Sequence, residues 1–217
     1  MNKKFLELAK KSKVIVIKVG SNILVNEKHV LRKKWLSSLI KDVKELQKRG
    51  SKIIIVSSGA IALGRNILSK KKLTNLHEKQ AAASIGQIQL SQQWQKAFAK
   101  LNIQSSQILI TAEDLNERRK YLNIRNTIYS LMDLNVVPII NENDTTSTEE
   151  IRFGDNDKLS AMIANALSAE LLILLSDVNG LYTANPKKSL QAKLITSVEE
   201  VDQPVSYTHL RAHETLT

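Results

Sequence analysis

Apolar residues along the 217-residue chain follow two alternating rhythms. Residues 13–19, 52–57, 107–111, 136–141 and 171–176 are short runs dominated by Val, Ile and Leu. They show little alternation with polar residues, as expected of strands buried on both faces. Between them the spacing becomes helical. Leu36, Leu39, Ile40, Val43 and Leu46 recur at i, i+3, i+4, i+7 and i+10 before Gly50 ends the pattern. Similar stripes predict helices over 77–101, 121–134 and 157–167, and Gly59-Ala60 opens another. Strands separated by helices predict an α/β fold, a three-layer αβα sandwich around a mainly parallel open sheet.

Composition narrows the class. Hydrophobic residues at 42% and charged residues at 24% are globular proportions. The absence of cysteine excludes a disulfide scaffold, a Cys-ligated zinc site and a thiol nucleophile in this chain. No apolar run approaches the ~20 residues of a membrane span, and a cytoplasmic location without membrane contact is the expectation. The net charge of +11 lies wholly in residues 1–52, which hold 15 Lys/Arg against 4 Asp/Glu. Lysine outnumbers arginine 24 to 8 and aromatics are only 4%. Nucleic-acid sites favour arginine interleaved with aromatics, so this excess reads as solvated helix faces rather than a nucleic-acid partner.

In open α/β sheets ligands bind at the carboxyl ends of the strands. Here those ends are Lys18-Val19-Gly20-Ser21, Ser57-Ser58-Gly59-Ala60, Asn141-Glu142-Asn143-Asp144 and Ser176-Asp177-Val178-Asn179-Gly180. Most of their members are small, polar or acidic. A lysine at the end of a buried strand either reaches an anion or snorkels to solvent. The serines before residue 60 either serve an anion site at a helix start or cap that helix. The three Asx residues Asp155, Asn156 and Asp157 exceed what one cap requires. Ser176 and Asp177 suit nucleotide contact, with Tyr182 as a flat surface nearby in sequence. Neither GxxxxGK[ST] nor GxGxxG occurs, and the four histidines lack metal-ligand spacing near these ends.

Taken together, VIVIKVGS (14–21), IIIVSSGAIALG (53–64), QAAASIGQ (80–87), VVPIINEND (136–144), EIRFGDNDKLSA (150–161) and LLILLSDVNGLYT (171–183) resemble the glutamate 5-kinase branch of the amino acid kinase family. The resemblance is collinear over about 14–202. It implies transfer of the ATP γ-phosphoryl to the side-chain carboxylate of L-glutamate, the first step of proline biosynthesis, with Mg²⁺ carried in by ATP. By match to the family's motifs, Lys18 is implied to neutralise the transferring phosphoryl and Asp157 to organise active-site lysines. Ser58, Asp144 and Asn156 are implied to bind glutamate, and Ser176 and Asp177, with Lys18, the nucleotide. No protein metal ligands are implied, and relatives suggest a homo-oligomer.

The sequence departs from that pattern in three ways. It has no glycine-rich segment with a second lysine of the TGGMxTK kind, no C-terminal PUA domain, and Asn185 where Asp is common. From about residue 204 it continues no family pattern. The expectation is an amino acid kinase domain over 1–203, incomplete at its C-terminal end, and a non-native or disordered tail over 204–217. Such a chain is expected to catalyse poorly; the alternatives are a non-catalytic glutamate-binding remnant or another member of the amino acid kinase family.

Overall fold

The computed structural model describes residues 3–69, 72–146, 156–186, 189 and 191–198. The chain divides into two compact units, Met1–Leu175 and Ser176–Thr217. The expected tail at 204–217 lies outside the described residues.

In the first unit, α1 (Lys3–Lys11) leads into β1 (Val14–Val19), followed by the single turn α2 (Ser21–Leu24) and α3 (Lys33–Lys48). Next come β2 (Lys52–Ser57), α4 (Ala60–Ile67), α5 (Leu76–Ala99), β3 (Ser105–Ile110), α6 (Ala112–Asn116) and α7 (Arg118–Asp133). The unit closes with β4 (Val137–Glu142), α8 (Asn156–Ala166) and β5 (Leu171–Leu175). All five strands are parallel, in the order β3-β4-β2-β1-β5.

Strand geometry sends alternate side chains to opposite faces. Ile15, Ile17, Ile53, Ile55 and Ile139 pack with Leu36, Ile40 and Val43 of α3 and Leu90, Trp94 and Phe98 of α5. Val16, Ile54, Val56 and Ile140 pack against Leu115, Ile128, Met132, Leu159 and Ile163 of α6, α7 and α8. Each fully buried Leu or Ile contributes roughly 1.5–3 kcal/mol, so both faces must be covered. The expected three-layer sandwich is therefore what the chain forms.

The helices α4 and α5 touch backbone to backbone. A Cβ added at Gly86 would lie 1.8 Å from the Ala60 carbonyl oxygen, and one at Gly64 would lie 1.8 Å from that of Ala82. This contact pins the start of α4, and with it the Ser58-Gly59 turn. The fold differs from the sequence pattern at short elements. Lys3–Lys11 is an unanticipated helix, and Thr111 ends no strand: it caps α6 in a reciprocal capping box with Asp114. No helix among the described residues is long and apolar enough to cross a membrane.

In the second unit, β6 (Leu181–Tyr182) pairs antiparallel with β7 (Leu194–Ile195). Thr183 closes the ribbon, its N–H donating to the Lys193 carbonyl and its hydroxyl oxygen accepting from the Lys193 N–H, each at 3.0 Å.

Candidate active site at the carboxyl ends of the strands

Lys18 occupies the Val16 face of β1, with Val56 and Leu174 as its register neighbours. It is only 4% exposed, so snorkelling does not describe it. An ammonium so buried needs a counter-charge. It finds one in the first turn of α8, where Asp157 Oδ1 lies 2.6 Å from Lys18 Nζ. The strand end and the helix start are thus joined by one buried ion pair. Gly20 keeps the adjoining backbone close, its N–H donating to the Leu175 carbonyl at 3.1 Å.

Ser58 does not cap α4. The cap position belongs to Gly59 in the left-handed region (φ 114°), with no side-chain cap bond, a conformation glycine adopts without steric cost. The Ser58 hydroxyl instead accepts from Asn156 Nδ2 at 2.8 Å. That nitrogen also donates to Asn141 Oδ1 at 3.2 Å. Asn141 Nδ2 in turn donates to Gln87 Oε1 on α5 at 2.8 Å. Ser58, Asn141 and Asn156 are all buried, and Asn156 Oδ1 has no hydrogen-bond partner among the described residues.

After β4 the chain turns through Asn143, whose side chain accepts from the Thr145 hydroxyl at 2.6 Å. The turn leaves Glu142 and Asp144 both buried. Burial, reinforced by the neighbouring Glu142 carboxylate, pushes the Asp144 carboxyl up from 3.8 to about 7. A buried acid so perturbed is a natural seat for a cationic group.

The four strand ends do not all meet in one unit. Lys18, Asp157, Ser58, Asn156 and Asp144 belong to the sheet unit, whereas Ser176 and Asp177 open the second unit, where the Ser176 hydroxyl is 3.4 Å from Asp177 Oδ1. Of the GDND segment, Gly154 and Asp155 lie outside the described residues. Gln87 and Asn141 were not singled out as site residues by the sequence pattern. The only signal at Gln87 was membership of QAAASIGQ, whereas Asn141 was named at the carboxyl end of its strand and within INEND without a role of its own. A cavity of about 390 Å³ beside Gln87, also lined by Ser91, Trp94 and Asn141, lies on the α5 side of the sheet. The Lys18–Asp157 pair lies on the α8 side, and the ion pair is the better marker of chemistry because it is charged and buried. Among the described residues, no group of three or more His, Asp or Glu side chains is placed to hold a metal ion.

The model of the amino acid kinase family matches residues 13–211. The chain belongs to the amino acid kinase family. It is 50% identical over 197 residues to "Glutamate 5-kinase" of Pelagibacter ubique (strain HTCC1062), covering 90% of this chain and 54% of that protein. It is 51% identical over 188 residues to "Glutamate 5-kinase" of Brucella abortus (strain S19), covering 86% of this chain and 50% of that one. This amino acid kinase chain thus spans about half the length of these relatives. Among solved structures it resembles an isopentenyl phosphate kinase substrate complex (TM-score 0.58, 14% identity, 84% of this chain and 77% of that one). It also resembles UMP kinase from Bacillus anthracis (TM-score 0.58, 18% identity, 84% and 72%). At these identities the two structures establish the amino acid kinase fold alone.

Proposed function

We propose that this chain carries the amino-acid-binding part of a glutamate 5-kinase, which transfers the γ-phosphoryl of ATP to the side-chain carboxylate of L-glutamate. A carboxylate oxygen attacks the γ-phosphorus, the bond to the β-phosphate oxygen breaks, and ADP leaves with the electron pair, giving L-glutamyl 5-phosphate. The acceptor is already ionised at pH 7, so the reaction requires no general base. What it requires is positioning and neutralisation of charge.

The observation that carries this reading is the buried Lys18–Asp157 pair at 2.6 Å. Lys18 supplies positive charge for the phosphoryl oxygens, where a preorganised donor acts without reorganisation cost. Asp157 holds that ammonium in place when no phosphoryl is present. Asp144 and Asn156 Oδ1 receive the substrate ammonium, and the Ser58 hydroxyl is left able to donate to a substrate oxygen. Ser176 and Asp177 are assigned to the nucleotide. Mg²⁺ would enter with ATP, held by phosphate oxygens and water.

The test is acyl phosphate formation from ATP and L-glutamate, trapped with hydroxylamine, alongside calorimetric binding of L-glutamate. Lys18→Ala is expected to lower turnover by about 10²–10³. Absence of both acyl phosphate and L-glutamate binding overturns the proposal.

A further inference from the structure

We propose that Gln87 is a positioning residue: together with the Glu142 N–H it holds the Asn141 amide, and through it the Asn156 amide, in the orientation that presents Asn156 Oδ1 as acceptor for the substrate ammonium. This rests on the amino-acid substrate proposed above and adds the element that orients its binding group.

One main-chain group identifies the polarity of the chain of amides, and Gln87 supplies the second hold on it. The Glu142 N–H can only donate, so the Asn141 atom 2.9 Å from it is the oxygen. Asn141 Nδ2 must then face an acceptor, and Gln87 Oε1 at 2.8 Å is that acceptor. Because the Asn141 oxygen is presented to Asn156, Asn156 must answer with its nitrogen, at 3.2 Å. The same nitrogen reaches the Ser58 hydroxyl at 2.8 Å. Asn156 Oδ1 is left over, buried and without a partner among the described residues. An orphaned buried carbonyl is costly, and an incoming N–H donor relieves that cost. A ligand offering only acceptors in that place does not.

Removing the Gln87 acceptor strands Asn141 Nδ2 and weakens the pin on both amides. Asn156 is then free to turn its nitrogen toward the ligand, which repels an ammonium. Gln87 borders the 390 Å³ cavity, so a side chain of similar length is accommodated without overpacking. Gln87→Met keeps the length and deletes the acceptor. Gln87→Glu keeps an acceptor toward Asn141.

Two readouts test this. In ¹⁵N spectra of the ligand-free chain, Gln87→Met is expected to shift and broaden the Asn156 side-chain amide signals, and Gln87→Glu to retain them. Unchanged Asn156 signals in Gln87→Met overturn the proposal. By calorimetry, the preference for L-glutamate over glutarate, which lacks the amino group, is expected to fall about tenfold in Gln87→Met and to recover in Gln87→Glu. An equal loss for both ligands in both variants means a merely structural role and also overturns it. If the parent chain does not bind L-glutamate, the proposed substrate fails, while the amide spectra still decide the role of Gln87.

Discussion

The two ends of the same parallel strands are built from similar residue types and treat them differently. At the amino ends, Glu170 accepts from the main-chain N–H groups of Lys13 and Val14, the latter at 2.9 Å. The Ser51 hydroxyl donates to the Ser12 carbonyl at 2.8 Å, and Lys52 Nζ to the Met132 carbonyl at 2.6 Å. Each of these groups has a partner supplied by the fold itself. At the carboxyl ends, Asn156 Oδ1 is buried without one among the described residues, and Asp144 is held in a setting that resists its ionisation. Polarity satisfied internally serves the fold. Polarity left unmet in a buried place stores free energy that a ligand can release.

The largest test of that contrast is Asp144→Asn, because the two kinds of effect should oppose each other. The Asp144 carboxyl is raised from 3.8 to about 7 by burial and then by Glu142. Between those values the folded state keeps a proton that the unfolded chain has released. Stability therefore falls as pH rises through that window, and the loss is complete above pH 7. Asp144→Asn is expected to be more stable than the parent at pH 8 by about 2–4 kcal/mol in chemical denaturation. It is expected to bind L-glutamate about 100-fold more weakly, a loss on the scale of a buried charge-assisted contact. In the parent, binding near pH 7 should release a proton, seen as a buffer-dependent calorimetric enthalpy. A variant that loses stability at pH 8 would refute the contrast.

Glu170→Ala addresses the other end. Removing an acceptor shared by two main-chain donors should cost about 1–2 kcal/mol, moderated by the exposure of Glu170, and leave L-glutamate affinity unchanged. A change in affinity would blur the distinction between the ends.

Thr111 gives the smallest and most discriminating test, since it lies just beyond the carboxyl end of β3 yet is fully used. Its hydroxyl accepts from the Asp114 N–H and donates to the Asp114 carboxylate, while its own N–H donates to that carboxylate at 2.8 Å. Thr111→Ala should cost about 1 kcal/mol, as a lost helix cap does, with no effect on binding. That result would show that unmet polarity, not location at the strand ends, marks the functional groups.

Much of this architecture is legible in the sequence. An isoleucine run such as KIIIVS has no polar face to offer water, so it must be a strand covered on both sides, and β2 spans those residues. The stripe from Leu36 to Leu46, about three turns long, likewise needs one buried face, which α3 supplies. Short elements were less legible. The nine residues of α1 offer too few turns for periodicity to outweigh their lysines, and the five of α6 depend on a capping box easily mistaken for the end of a strand.

The candidate site divides along the same line. Residue chemistry marked the segments 18–21, 57–60, 141–144 and 155–157, and the family resemblance singled out Lys18, Ser58, Asp144, Asn156 and Asp157 within them. Residue chemistry did not distinguish Ser58 as a cap from Ser58 as a partner of Asn156. It was silent on Gln87, which meets Asn141 across 54 residues of sequence.

The sequence by itself determined which of the longer segments become strands and helices and which polar residues arrive at one edge, because hydrophobic period and residue type are local properties. Only the tertiary structure decided which of those polar atoms are matched and which are left waiting. Hydrogen-bond satisfaction and desolvation depend on what other segments bring within 3 Å, and no local pattern carries that distance.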